Sequence, residues 1–197
     1  MLKNLLLILA AYLIGNFSTS YLIAKLFAEI DIREHGSGNP GSTNILRTLG
    51  AKAAAFTFAG DLLKGAVAGY LGNRFGGATV ALLCGIAVVA GHNWPVFLEF
   101  KGGKGIATTI GVIISIKPLI ALLCVSIGIA VLFKFKYVSL ASIVGIIVLP
   151  FTIIIYGFNY FLFGLILALL AIYRHRENIK RLLAGNERKI GEKSGAN

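Results

Sequence analysis

Two stretches of this chain carry side chains suited to holding anions. SGNPGSTNILR, Ser37 to Arg47, sets Ser37, Asn39, Thr43 and Asn44 as hydrogen-bonding groups around Gly38 and Gly41, which let the backbone turn, and ends on the permanent charge of Arg47. GHNWPVFLEFKGGKG, Gly91 to Gly105, alternates Lys101 and Lys104 with Gly102, Gly103 and Gly105 just before an apolar run that opens at Ile106. Backbone N–H groups of a glycine-rich turn converge on phosphate, the following helix aims the positive end of its dipole there, and Lys104 adds a full charge. Neither stretch is a nucleotide fingerprint. Gly36, Gly38 and Gly41 match the dinucleotide pattern with no strand ahead of them, and the lysine-glycine turn lacks the spacing and the Ser/Thr of a Walker loop. The bland alternatives are a capped loop for the first stretch and a flexible loop with orienting lysines for the second.

A third stretch, RHRENIKRLLAGNERK from Arg174 to Lys189, puts His175, Asn178 and Arg181 on one side of a helix. It either closes a site formed with the other two or lies as a basic amphipathic helix on anionic lipid. Ser139 and Ser142, three residues apart, could donate to phosphate or bond their own helix backbone. Asp61 and Lys64 sit in an apolar run where an unpaired charge is expensive, so they are expected to pair, or else Lys64 lends its charge to the site. None of His35, His92 and His175 has an aspartate five residues on, where Pro40, Phe97 and Lys180 stand, and no nucleophile elbow is present. Chemistry at such a site requires a substrate that arrives already activated.

The elements that position these residues are membrane helices. The chain is 57% hydrophobic and only 14% charged, with a mean hydropathy of +0.83, against roughly 25% charged in soluble proteins. Apolar runs fall at Leu5 to Ala28, Ala53 to Leu71, Ala78 to Phe97, Ile106 to Ile116, Leu119 to Phe133, Tyr137 to Tyr156 and Tyr160 to Tyr173. Lys117-Pro118 divides the fourth run from the fifth as a tight turn, since both residues are costly in mid-hydrocarbon. The expected fold is an all-α membrane protein of seven transmembrane helices, N-terminus outside and C-terminus cytosolic. That orientation puts most of the 19 basic residues inside and leaves Lys3, Arg74 and Lys117 outside, with Lys64 in the second span. The net charge of +11 is therefore read as topology and not as nucleic-acid binding. Cys84 and Cys124 read as buried small hydrophobes. The first apolar run lacks a cleavage site and is expected to stay as a span. All three polar stretches then share the cytosolic side, and spans two, four and six begin there with their positive dipole ends. Residues 1–190 form one domain; 191–197 is expected to be a mobile polar tail.

With those motifs in view, the chain resembles the bacterial acyl-phosphate:glycerol-3-phosphate acyltransferases, the PlsY family, over essentially its whole length. SGNPGSTN with Arg47, GHNWPVFLEFKGGKG and RHRENIKRLLAGNE carry the resemblance in that order, with Ser42 standing where the family commonly has alanine. The resemblance implies transfer of a fatty acyl group from acyl phosphate to the 1-hydroxyl of glycerol 3-phosphate in the cytoplasmic (inner) membrane, with the active site facing the cytosol. It implies no cofactor, metal, nucleic acid or obligate protein partner beyond the two substrates and membrane lipid. It also implies catalytic roles for Ser37, Arg47, Lys104 and His175. Substrate binding would fall to Gly38, Asn39, Thr43, Asn44, Gly102, Gly103, Gly105, Ser142 and Asn178, with Glu187 structural. The general base stays open between His175 and a substrate phosphate. The rival from another class is a transporter for a phosphorylated solute, against which the lack of a paired repeat counts.

Overall fold

The computed structural model describes residues 1–192 and is helical throughout, with no strand among them. The expected tail over 191–197 therefore lies, from residue 193 on, outside the described residues. Helices α1 (Leu2–Asn16) and α2 (Thr19–Ala28) come first, then α3 (Ser42–Leu49), α4 (Ala51–Asn93), α5 (Ile106–Ile116), α6 (Pro118–Phe135), α7 (Val138–Ile153), α8 (Phe158–Arg174) and α9 (Arg176–Leu183).

α4 is a hairpin of two helical arms. Gly77 has φ 79° and ψ −178°, a conformation essentially reserved for glycine, and there the chain reverses. Lys64 and His92 would stand about 42 Å apart on a straight helix; their Nζ and Nδ1 are 2.7 Å apart. The two arms correspond to the second and third apolar runs. Among the described residues, four stretches are long and apolar enough to cross a bilayer, the whole hairpin counting as one of them, and α8 with α9, bent by 62°, would make a fifth.

Two local features of the fold have physical causes. The first apolar run breaks at Phe17–Ser18, where Ser18 caps α2 by accepting from the Tyr21 N–H. The carbonyls of Gly15 and Phe17, freed at the break, accept from the buried Lys64 ammonium at 3.2 and 2.8 Å, the partners a helix end needs away from water. Residues 42–49, in the polar stretch between the first two apolar runs, form α3. Gly41 precedes it, Gly50 at φ +88° ends it, and its apolar side, led by the fully buried Ile45, packs on Ile32, Ala24 and Ala53.

The helices are held by close backbone approach, as expected where lipid supplies no hydrophobic drive for association. A methyl group on Gly15 would stand 3.0 Å from the Cα of Gly91, so α1 and the second arm of α4 meet backbone to backbone. Gly65 and Gly111 do the same for the first arm of α4 and α5, each facing a carbonyl of the other helix. At the centre lies one apolar cluster that includes Val88, Val112, Leu149, Phe163 and Leu167. The expected turn at Lys117-Pro118 is present: Pro118 opens α6, where its missing N–H costs nothing, and Lys117 Nζ sits 3.7 Å over the Tyr156 ring.

Candidate active site

The three polar stretches meet at one end of the bundle around a pocket of about 580 Å³. In the first, Gly36 and Gly38 take φ of +64° and +69°, and the turn they make wraps around Asn44. The Asn44 amide donates to the Ile32 and His35 carbonyls at 3.2 and 2.9 Å and accepts from the Ser37 N–H at 2.9 Å. Asn44, expected to bind substrate, thus spends its side chain holding the loop, with only 2% of its surface exposed. Ser37, Gly38, Asn39 and Thr43 line the pocket, as does Arg47 one helical turn further along α3. Arg47 also donates to the Arg188 carbonyl at 3.4 Å.

The second stretch comes off α4 through Trp94 and Pro95 and runs over the short 3-10 turn Val96–Leu98 to the glycine-lysine turn. Gly102 and Gly103 are buried, and the Gly103 N–H donates to the His92 carbonyl at 3.1 Å. Gly103 does not line the pocket; it packs behind the lining against His92 and Pro40. Gly105, at φ +79°, starts α5, so the α5 N-terminus opens onto the pocket beside Lys104. Gly102, Lys104 and Gly105 line it.

The third stretch closes the pocket from below. His175 terminates α8, with its backbone N–H donating to the Ala171 carbonyl at 2.9 Å and its Nδ1 2.7 Å from the same oxygen. That contact makes Nδ1 the protonated nitrogen and leaves Nε2 as an acceptor. Asn178, in α9, accepts from Lys104 Nζ and donates to Glu187 Oε1 at 2.7 Å. Glu187 also accepts from Ser139 at 2.7 Å and from Arg181 at 2.7 Å, so the strap after α9 is pinned to the start of α7, and the Ile190 N–H bonds the Lys136 carbonyl at 2.8 Å. Both paired serines line the pocket, Ser139 with its hydroxyl committed to Glu187. Asp61 and Lys64 pair at 2.9 Å, both buried. Thr19 donates to the same Asp61 oxygen at 3.1 Å, and the cluster with His92 sits at the pocket floor, where Asp61 and His92 are wall residues.

The electrostatics follow from burial. Taking the Lys104 ammonium out of water, beside Arg181, Arg174 and Arg47, lowers its pKa to about 8 despite Glu187 nearby. Burial and the Lys104 charge bring His175 down to about 4, so this imidazole is neutral at pH 7. For Glu187 burial pushes upward, but the bonds from Ser139, Asn178 and Arg181 outweigh it and hold the carboxyl below its ordinary value. The pocket thus has a cationic wall with few counter-charges, a site for a multiply charged anion.

Sequence reasoning passed over Arg174, counting it only as a positive-inside charge. Its Nε donates to the Gly103 carbonyl at 2.9 Å and its Nη2 to the Gly102 carbonyl at 2.6 Å, and its guanidinium lies 5.6 Å over the Trp94 ring. Its position next to His175 was the available signal. Also unforeseen is an apolar groove of about 270 Å³ between α5, α6 and α7. It shares Phe58, Ile106, Val138 and Ser142 with the polar pocket, so the two cavities open into each other at the ends of α5 and α7.

Comparison with known proteins bears on what such a joint site serves. The family model described as glycerol-3-phosphate acyltransferase matches residues 5–185. The glycerol-3-phosphate acyltransferase of Alkaliphilus metalliredigens is 62% identical over 191 residues, covering 97% of this chain and 98% of that protein. That of Clostridioides difficile is 50% identical over 197 residues, covering 96% of each. Among solved structures, PlsY, an integral membrane glycerol 3-phosphate acyltransferase, superposes in its glycerol 3-phosphate form with a TM-score of 0.92 at 39% identity over 96% of both chains. Its lysophosphatidic acid form superposes with a TM-score of 0.89 at 38% identity.

Proposed function

Because this chain belongs to the glycerol-3-phosphate acyltransferase family, an integral-membrane group of acyltransferases, we propose that its donor is a fatty acyl phosphate. The products would be 1-acylglycerol 3-phosphate and inorganic phosphate. The observation that carries this reading is the junction of the two cavities: a cationic pocket and an apolar groove share Phe58, Ile106, Val138 and Ser142. A molecule that joins a phosphate directly to a long acyl chain places its reacting carbonyl at that junction.

In this reading the glycerol hydroxyl attacks the acyl carbonyl, the bond from that carbon to the phosphate oxygen breaks, and the phosphate departs with the bonding pair. The mixed anhydride is already activated, so no acyl-enzyme is required. The protein orients two anions and stabilises developing negative charge. Lys104 and Arg47 supply charge; Ser37, Asn39, Thr43 and the turns around Gly38, Gly102 and Gly105 supply donors; Asn178 holds Lys104. Asn44, itself on the pocket wall, shapes the Ser37 turn, and Gly103 acts one layer behind by seating the glycine-lysine turn on His92. Ser142 stands where head and tail meet.

We read the chain as crossing the membrane seven times, N-terminus outside, with the pocket at the cytosolic face of a bacterial inner membrane. The reversal at Gly77 and the turn at Lys117-Pro118 support that count, and the crowding of arginine and lysine at the pocket end supports the direction.

The test is purified enzyme in detergent given a synthetic acyl phosphate and labelled glycerol 3-phosphate. Labelled acylglycerol phosphate should form without a sealed compartment, with one inorganic phosphate released per ester. Turnover with a thioester donor and none with acyl phosphate would overturn the donor assignment.

A further inference from the structure

The apolar groove has a closed end. Along α5 the lining runs from Ile106 at the mouth to Ile113, along α6 from Leu132 to Ala121, and along α7 from Val138 to Leu149. Given the alternating directions of the three helices, all three series run away from the polar pocket. The deep ends of the three series are buried. Ile129 is 47% exposed, whereas Ala121 and Ile113 are 3% exposed and Leu149 is 0%. Behind these three lies the central apolar cluster with Phe163 and Leu167, so the groove tapers shut against the core and not against open lipid. Its depth along α7 is about 16 Å of helical rise. An extended hydrocarbon advances about 1.25 Å per carbon, from a C–C bond of about 1.5 Å in zigzag, so this depth takes about thirteen carbons.

We infer that Leu149, with Ala121 and Ile113, is the stop that sets acyl chain-length preference: chains that reach it fit extended, and longer ones must leave the groove sideways between helices. The inference rests on the acyl-phosphate reading above. Small residues leave the space itself, since Gly128 and Gly145 let α6 and α7 meet closely beneath it, with a methyl on Gly145 standing 3.1 Å from the Cys124 carbonyl. Removing bulk at the stop lengthens the groove and adding it shortens the groove.

The experiment measures kcat/KM of full-length purified enzyme for acyl phosphates of graded length, as the ratio of a sixteen-carbon to a twelve-carbon donor. Leu149→Val and Leu149→Ala should raise that ratio, the alanine more, by about tenfold, the low end of what one methylene discriminates in a closed apolar pocket. Ala121→Val should lower it. Ratios equal to wild type in all three variants, or a shift in the same direction for Leu149→Ala and Ala121→Val, would overturn the inference. Absence of turnover by the wild type at every chain length would instead overturn the donor assignment, and the stop with it.

Discussion

Replacing Arg174 tests whether the glycine-lysine turn must be held from outside to work. Its guanidinium takes the carbonyls of Gly102 and Gly103 at 2.6 and 2.9 Å. In a trans peptide the N–H points opposite to the C=O, so fixing these two carbonyls also fixes the directions of the Gly103 and Lys104 N–H groups and the root of the Lys104 side chain. A hydrogen bond from a charged donor contributes about 1.5–3 kcal/mol. Arg174 lines a pocket open to solvent, where water can replace it in part, so the lower figure applies, and two bonds give about 3 kcal/mol. At 1.36 kcal/mol per factor of ten, Arg174→Ala should lower kcat/KM for glycerol 3-phosphate by about a hundredfold. Arg174→Lys offers a point charge in place of a planar fork; keeping one carbonyl in its grip, it should lose about tenfold. Initial rates at varied glycerol 3-phosphate, with melting of the detergent-solubilised protein in parallel, separate the two readings of such a loss. A positioning role moves the kinetics of both variants while Arg174→Lys melts like wild type. Kinetics of Arg174→Ala within threefold of wild type, or a lysine variant that loses melting temperature in proportion to rate, would refute the reasoning.

Three further outcomes follow from the site and its supports. With Lys104 at about 8, the ammonium is charged below that pH and neutral above it, so kcat/KM for glycerol 3-phosphate should fall roughly tenfold per pH unit above about 8; Lys104→Arg, charged throughout, should carry that limb upward by two units or more, and an unmoved limb counts against Lys104. Asp61→Asn strands the buried Lys64 ammonium and should cost about 3–5 kcal/mol of stability, read as a fall in melting temperature; adding Lys64→Met should leave part of that fall in place, because the Gly15 and Phe17 carbonyls then lose their donor. Gly77→Ala meets nothing within 4 Å, so its effect is backbone strain alone: about 1–3 kcal/mol of stability with kcat unchanged, a lower kcat counting against that assignment.

Much of this arrangement is legible in the residues. Hydropathy locates the apolar runs, and Lys117-Pro118 announces its own turn because a lysine beside a proline is costly in mid-hydrocarbon. From the sequence the glycines beside Lys104 point to an anion site at the head of a membrane helix; in the fold Gly102 and Gly103 also answer to packing, since a methyl on either would strike His92. What stays hidden depends on contacts made across the bundle. The break at Phe17–Ser18 occurs inside a run that reads as one continuous span, and it is sustained by Lys64 from another helix. Residues 42–49 carry the marks of a loop, Gly41 before and Gly50 after, yet Ile45, Leu46 and Leu49 find an apolar partner and the short helix follows. Asn44 looks like a ligand donor from its neighbours; only the fold shows that its amide holds its own loop. The apolar groove and the grip of Arg174 on the glycine-lysine turn stay hidden for the same reason, since each is defined by what packs opposite it.

The proton that leaves the attacking hydroxyl can be followed from these local facts. His175 offers Nε2 as an acceptor because its Nδ1 hydrogen is bound to the Ala171 carbonyl, so the ring is suited to aligning a hydroxyl. Its pKa of about 4 makes it a weak place to keep the proton. A phosphate monoester in water has a second pKa near 6, so a substrate phosphate is the alternative acceptor for that proton. The burial and the Lys104 charge that depress the imidazole are the features that draw phosphate in, and stronger anion binding by Lys104 means a weaker base at His175. In the acyl-phosphate reading we propose that a substrate phosphate takes the hydroxyl proton, with His175 Nε2 placed to align the hydroxyl.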